Sequence, residues 1–583
     1  MTSSPFSTES SVGRNSLVMA VGTAASRVTG QVRTILLAAA VGTTGMAANA
    51  YQAGAMIPQV IFTLVSGGIF NAVLVPQIVR TLHAQDAEKN LNRLITFAIA
   101  MLVGITVLMM AATPLLTWLY ADGNADMIAL TNSFTLWCMP QILFYGLYTV
   151  IGQILAARNR FGAYAWSSVA ANLISSAGFT AFIVLFGKAD TRPLSFWNSG
   201  RVALTAGAWT LGVAFQALIL FIPLARSGIR YRPRWGIRGI GLRSMGPVAA
   251  WSLGIVIVGQ LITIVDTRVT TGAPALAERL HGVSQLTVAG NATYQNAYTV
   301  WMLPYSLIAV SVATAVFPDI SRSVARNDLE AARRELSRSL RNVTVIMCFF
   351  TVAFAVMATP ISMALLPSIS VREALLMSGP LTALAACLPM SSAYLIIQRT
   401  FYAFEDGRHP FIFAALRESI HFLVLMAGVR VLAPEHWVTW LGVTMTLCNA
   451  IAFPLLLMML RRRFGGNIDG RRILTSMLKA TAATVATIAV GLALRPLALR
   501  LVGASDSSMD WLQAIGVCAI LALAIAVVYL SILLLLRTEE LRSLFVLLLR
   551  RVAHVPLWRR DGTDRDADKT DRMASKRDDY RHQ

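Results

Sequence analysis

Charge is scarce in this chain. Of its 583 residues only 14% are Asp, Glu, Lys or Arg, against about a quarter in soluble domains. Acidic residues are the scarcer sign, 29 against 50 Lys and Arg, which leaves a formal charge of +21. A soluble chain of this length would divide into polar-surfaced domains, and this composition excludes that class. Cysteine is rare as well. Cys138, Cys348, Cys387, Cys448 and Cys518 all lie inside apolar blocks, and none forms a C-x-x-C pair. Neither a disulfide framework nor a thiolate metal site is indicated. No phosphate-binding loop is present, since Gly187-Lys188 lacks the upstream glycine spacing, and there is no H-E-x-x-H and no G-x-S-x-G. The expectation is a protein that is not an enzyme, with no cofactor and no metal.

What is abundant is apolar sequence. Hydrophobic residues make up 56% of the chain and the mean hydropathy is +0.62. They fall into long blocks separated by short basic patches, the pattern of repeated bilayer crossing by segments of about 20 apolar residues. The positive charge could suggest a nucleic-acid binder, but the arginines sit in connectors, as in RSGIRYRPRWGIRGIGLR after the sixth block. They read as a topology signal, and no nucleic-acid partner is expected. The N-terminal MTSSPFSTESSVG lacks the charged start of a cleavable signal, so the first apolar block is read as a retained helix.

The fold class expected is an all-α polytopic membrane protein of about fourteen transmembrane helices. Two six-helix repeat lobes and two C-terminal helices account for the blocks. A polar segment at 1–14 precedes a first lobe at 15–225; a basic loop at 226–244 leads to a second lobe at 245–460; a helix pair at 461–540 precedes a charged, disordered tail at 541–583. Helices are expected near 15–41, 49–79, 92–120, 127–156, 375–400 and 342–366, among others. Basic connectors follow every second helix, so both termini are expected in the cytoplasm of a bacterial inner membrane.

An internal repeat supports the two lobes. Asn49-Ala50-Tyr51, then Pro58, then Pro76-Gln77-Ile78 recurs as Asn296-Ala297-Tyr298, then Pro304, then Pro318-Asp319-Ile320. Equivalent helices keep one orientation, and such repeats build transporters with a site between the halves.

The informative residues are polar ones inside apolar blocks. Arg27 lies deep in the first block, where a guanidinium costs about 2.5–3.5 kcal/mol on insertion scales and should face a watery cavity or an anion. Arg33 follows on the same helix, about 120° round it. Almost no deep carboxylate neutralises them in the first lobe, so the ligand expected is an anion, phosphate or pyrophosphate suiting a guanidinium best. Ser26, beside Arg27, and Asn49 and Asn296, heading the repeated motif, complete the substrate-binding candidates; the two asparagines could equally cap helices or join them. Pro58, Pro76, Pro304 and Pro318 are candidate hinges. Asp266 and Arg268 are expected to pair with each other or face an external loop. Arg417, Glu418 and His421 form a second polar cluster, expected to satisfy itself within the second lobe.

The segments SRVTGQVRTILLAAAVG and ANAYQAGAMIPQVIFTLVSGGIFNAVLVPQI resemble the N-terminal signature of the MurJ/MviN lipid II flippases, relatives of the MATE transporters. QILAARNRFGAYAWSSVAANLI and RTFYAFEDGRHP resemble that family's inter-helix signatures. The resemblance implies a V-shaped pair of lobes around a cationic cavity, with Arg27 and Arg33 matching substrate-linked arginines. It also implies a groove on the last two helices for a polyprenyl tail. The implied partners are a lipid-linked anionic precursor of the undecaprenyl-pyrophosphate type, membrane lipids and cell-wall synthesis proteins. Three departures stand out: Asn49 replaces an acidic residue, Phe62 an arginine, and Tyr298-Thr299 an Asp-Arg pair. A flippase for another polyprenyl-pyrophosphate glycan, a MATE-like exporter and a non-transporting cell-wall scaffold remain the alternative functions.

Overall fold

A computed structural model describes residues 6–67, 78, 87–158, 160–236 and 247–540. Pro76, the basic stretch 237–246 and the tail from 541 lie outside these residues. Among the described residues there is no strand. The helices are α1 (Phe6–Val41), α2 (Gly45–Val65), α3 (Ala87–Ala111), α4 (Thr113–Tyr120), α5 (Ala125–Cys138), α6 (Gln141–Ala157) and α7 (Phe161–Phe186). The span Ser199–Arg226, here α8, contains a π turn at Ala203–Gly207. Then follow α9 (Pro247–His281), α10 (Asn291–Pro304), α11 (Val310–Ala325) and α12 (Leu329–Leu365). After them come α13 (Val371–Ala385), α14 (Leu388–Ala403), α15 (Arg408–Val431), α16 (Trp437–Arg463), α17 (Gly470–Val502) and α18 (Trp511–Leu535).

By length and apolar composition 11 of the described helical spans can cross a membrane, or 12 if the bent pair α13–α14 is one span. The fourteen expected from the blocks are not reached by this measure. The long helices outside it are α1, which carries Arg14, Arg27 and Arg33, and α2, which carries Asn49, Gln52 and Gln59. The outer surface is what a bilayer requires: Leu423, Val485 and Leu523 are 66%, 63% and 70% exposed. Apolar exposure on this scale marks a lipid-facing protein.

Several boundaries differ from the block reading, each for a local reason. α1 begins at Phe6, inside the segment expected to be a polar lead. α12 begins at Leu329 instead of 342, because Asp328 caps it by accepting from the Ala331 N–H at 2.9 Å, and the polar run LEAARRELSRSLR forms an extension. The expected helix at 92–120 breaks at Ala112, ahead of Pro114. The one at 127–156 breaks at Met139-Pro140, and its counterpart at 375–400 bends by 47° at Ala386-Cys387, ahead of Pro389. A proline ring clashes with the carbonyl four residues back, which is why these breaks fall where they do. Both halves carry the break at the same kind of sequence, Cys138-Met-Pro140 and Cys387-Leu-Pro389.

Helix neighbours also repeat. α1 packs on α7 as α9 packs on α15; α2 packs on α5 as α10 packs on α13; α7 packs on α8 as α15 packs on α16. α17 and α18 pack on each other and on α12, with Ala38 of α1 joining their core.

The halves meet through polar contacts at the end of the bundle that carries the turns 42–44, 121–124 and 282–290. α10 starts there after Gly290, which has no side chain to cap it. Asn49 of α2 supplies the cap from the other half, its Oδ1 accepting the Ala292 N–H at 2.8 Å. A Cβ at Gly290 would lie 2.5–2.8 Å from that amide group, so glycine is required for the approach. Beside it the Thr293 hydroxyl donates to the Thr43 carbonyl (3.0 Å), and the Thr43 hydroxyl donates to Glu373 at 2.6 Å. Glu373 also accepts the Ser370 N–H at 2.8 Å, closing a capping box on α13. At the opposite, basic end Asp406 accepts from the backbone of Arg408 (3.1 Å) and His409 (3.2 Å) and from Arg463 Nε (2.9 Å).

Two outcomes follow. Asn49→Ala should lower stability by about 1 kcal/mol, the usual cost of a lost cap, and Gly290→Ala by at least as much, read as thermal midpoints of the purified protein. Equal midpoints for wild type and both variants would remove the cap from the account. Burial opposes ionisation of Asp406, but hydrogen bonds from His409 and Arg463 outweigh it and hold the carboxyl below its usual value. Its contribution is therefore complete above the unfolded carboxylate value of about 3.9 and lost as pH falls through the lower folded value. An acid titration of wild type should show a stability loss below about pH 4 that Asp406→Asn lacks.

Candidate functional site

The candidate residues divide into three places. Arg27 is exposed on α1, and its guanidinium reaches the Ser306 hydroxyl of the other half at 3.5 Å. It stands 14 residues before the end of α1, about 21 Å along the axis at 1.5 Å per residue. That is within the depth of a hydrocarbon core about 30 Å thick. No described carboxylate lies within ion-pair distance of it. Ser306 itself sits in the π turn Tyr305–Ala309 that follows Pro304, where the helical hydrogen-bond ladder slips. Ser26 contributes its carbonyl, which accepts from Asn172 of α7 at 3.0 Å and so fixes α1 to its neighbour.

Arg33 lies in the first half. Its guanidinium is 4.7 Å from the Trp209 ring centroid, and Trp209 stacks on Tyr51 at 6.1 Å. Tyr51 is fully buried and meets Phe134 edge-on at 5.1 Å. A cation over an indole face replaces part of its lost hydration. Arg27 and Arg33 are thus not on one shared surface: the first faces the other half, the second an aromatic box.

The asparagines do not bond each other. Asn49 caps α10, while Asn296 turns back and donates to the Ala292 carbonyl one turn earlier at 2.8 Å. Asp266 and Arg268 do not pair either. Asp266 bonds to Nε2 of the buried His421 at 2.8 Å, and Arg268 donates to the Trp118 carbonyl at 2.6 Å while lying 5.4 Å from the Trp118 ring. Successive positions on a helix point about 100° apart, so residues two apart face nearly opposite ways. The cluster of Arg417, Glu418 and His421 pairs within the second half, Arg417 with Glu418 and His421 with Asp266, and is satisfied except at Arg417 Nε.

That cluster borders a cavity of about 340 Å³ between α2, α9, α10, α15 and α16. Met56 is its lining residue from the first half; Gln260, Asp266, Asn291, Tyr294, Tyr298, Arg417 and Glu418 supply its polar wall. Gln260 Oε1, Asn291 Nδ2 and Arg417 Nε are buried without a hydrogen-bond partner among the described residues. Unpaired polar atoms are costly, so this wall is suited to water or to a polar guest. Sequence reasoning names Arg417, Glu418 and His421 as a cluster that satisfies itself, and misses Gln260, Asn291 and Glu373. The capping-box spacing of Ser370 and Glu373 was the available signal for the last; Gln260 and Asn291 carried none.

The positions of the three departures have local partners. Phe62 packs on Tyr145 at 5.6 Å, Tyr298 stacks on Trp301 at 5.3 Å, and Thr299 donates to the Gln295 carbonyl at 2.8 Å. Of the proline candidates, Pro58 and Pro304 are buried inside the bundle and Pro318 lies within α11. Removing one partner of the Arg417–Glu418 pair should be costly: Arg417→Met leaves a buried carboxylate and is expected to destabilise by about 3–5 kcal/mol, whereas Arg417→Met with Glu418→Met should be much milder. Denaturation of the two variants side by side makes the comparison, and equal losses would contradict it.

Residues 37–500 match the family described as lipid II flippase MurJ. A Rhizobium tropici protein described as a probable lipid II flippase MurJ is 24% identical over 423 residues, covering 70% of this chain and 74% of its own. One from Rhizobium meliloti is 24% identical over 419 residues, covering 68% and 72%. Among solved structures, lipid II flippase MurJ in an inward closed conformation superposes with a TM-score of 0.64 at 18% identity, over 89% of this chain and all of its own. An inward-facing multidrug resistance MATE transporter of the MOP superfamily gives 0.54 at 16% identity, over 75% and 95%. Those two likenesses show the fold; the match over most of the sequence shows the kinship, and this multi-pass membrane chain belongs to the lipid II flippase MurJ family.

Proposed function

We propose that the chain moves the lipid-linked peptidoglycan precursor from the inner to the outer leaflet of a bacterial cytoplasmic membrane by alternating access. The single observation that carries the mechanism is Arg27. It is an exposed guanidinium at membrane depth, without a carboxylate partner among the described residues, facing the other half across its contact with Ser306. A group placed there is stable only beside water or an anion, and a pyrophosphate matches its paired donors. Arg33, held on Trp209, adds positive potential from behind.

The polar contacts that join the halves at the turn end support a cavity opening at the basic end. In this reading both termini are cytoplasmic, because the connectors 227–236, 326–328 and 461–469 carry the arginines. The cycle begins with the headgroup between the halves and the lipid tail still in the bilayer. Rocking of the halves then breaks the Asn49 cap and the hydrogen bonds of Thr43, and opens the turn end. The π turn after Pro304 and the bend between α13 and α14 are the places where the second half can yield. No nucleotide is required: an inside-negative potential favours outward transfer of negative charge by about 2.3 kcal/mol per charge per 100 mV.

Depleting the protein in cells should cause lipid II to accumulate on the inner leaflet. Wild type should reverse this, Arg27→Ala should not, and Arg27→Lys should recover only part of the flux because an ammonium lacks the paired donors. Build-up of a different polyprenyl-linked glycan would move the substrate while keeping the mechanism. Full rescue by Arg27→Ala would remove the guanidinium from it.

A further inference from the structure

A second cationic hollow lies away from the space between the halves, at the basic end of the α17–α18 pair. Its volume is about 210 Å³, and its wall is formed by the first turns of α17, the segment just after α18 and one side chain from α12. Arg471, Arg472, Lys479, Arg537 and Arg341 line it, against Glu539 and Glu540. Arg341 already holds those two carboxylates, its Nη1 lying 3.1 Å from Glu539 and 2.5 Å from Glu540. No described carboxylate lies within ion-pair distance of the other four cations. The positive charge is therefore in excess where the hollow opens.

Two further features point to a negatively charged occupant. The Ser476 hydroxyl, on the wall and 5% exposed, has no hydrogen-bond partner among the described residues, and neither does Arg341 Nε. In addition, Arg471 and Arg472 occupy the first turn of α17, where the helix dipole favours an anion and opposes a cation. Beside Asp469 at the N-cap, the two arginines add positive charge to the positive end of the dipole, which favours a further anion. The surroundings identify its source. Leu474 and Leu478 project from the same stretch of α17 at 59% and 61% exposure, and Leu534 and Leu535 end α18 at 60% and 80%. A hollow of arginines rimmed by lipid-facing leucines meets a molecule that is a phosphate at one end and hydrocarbon at the other.

We propose that this hollow binds the phosphate of an anionic membrane lipid, whose acyl chains lie along the exposed leucines of α17 and α18. The site is separate from Arg27 and does not depend on what the central cavity carries. Arg471 and Arg472 supply paired donors, Lys479 a point charge, and Ser476 a hydroxyl.

The test uses the full-length protein in detergent, titrated with phosphatidylglycerol, with phosphatidylcholine and with inorganic phosphate, and followed by thermal unfolding. Phosphatidylglycerol should raise the midpoint of wild type in a saturable way, and phosphatidylcholine should not. Arg471→Gln with Arg472→Gln should weaken the apparent affinity at least about tenfold, the loss expected for two charge-assisted contacts. Lys479→Gln, a milder change, should weaken it less and guards against a misfolded double variant. Arg338→Gln and Arg430→Gln complete the series. Because Arg338 lines an adjoining hollow that shares Arg341, Arg472, Glu539 and Glu540 with this one, its response should fall between wild type and the double variant. Arg430→Gln, exposed in the last turn of α15, should respond as wild type does. The same shift with inorganic phosphate alone would overturn the assignment to a lipid. Equal responses to both lipids, or an unchanged response in the Arg471 and Lys479 variants, would overturn the site.

Discussion

The two halves of this protein are joined by a helix that cannot finish itself. α10 begins after a glycine with no capping group, and its first free N–H groups are buried. The missing acceptor comes from Asn49, on a helix of the other half. Thr43, Thr293 and Glu373 extend this into a short polar seam in which each group satisfies a neighbour from a different element. In a bilayer such groups have no water to fall back on, so the seam is both an adhesive and a constraint. It aligns α2 with α10 across the halves, while packing on α7, through Asn172, sets which face of α1 meets the π turn after Pro304. Arg27 opposite Ser306 needs both alignments.

The architecture was readable because lipid imposes a strong rule on composition. Apolar blocks and basic connectors led to an all-helical, multi-pass chain, since each span needs many apolar residues and each error would bury a charge; the count of fourteen was not reached. Breaks inside spans were less legible. Cys138-Met-Pro140 and Cys387-Leu-Pro389 were present as a second repeat, but a window long enough to detect a span averages across them. Helix extensions such as the start of α12 escaped for the opposite reason, being polar turns that hydropathy assigns to loops.

Site residues were legible by type and not by partner. Arg27 stood out because a deep guanidinium is expensive wherever it points. Periodicity could not show that Arg33 would lie over Trp209, from a segment far along the chain, or that Asp266 would choose His421 over Arg268. Partners of that kind depend on how helices rotate against one another, and the rotation is set by packing of residues such as Tyr51 against Phe134 and Phe179. The basic hollow on α17 was hidden for a related reason: its arginines were counted as topology signals, and the connector reading absorbed them.

The cap on α10 also bears on how the molecule is made. Asn49 and Ala292 are 243 positions apart. At roughly 5–20 residues per second of synthesis, Asn49 waits about 12–50 s for its partner to emerge. For that interval the first half rests in the membrane with its seam unfilled, open to any other donor of similar shape. The order of synthesis therefore leaves the first half with an acceptor to satisfy until the second half arrives to close the seam.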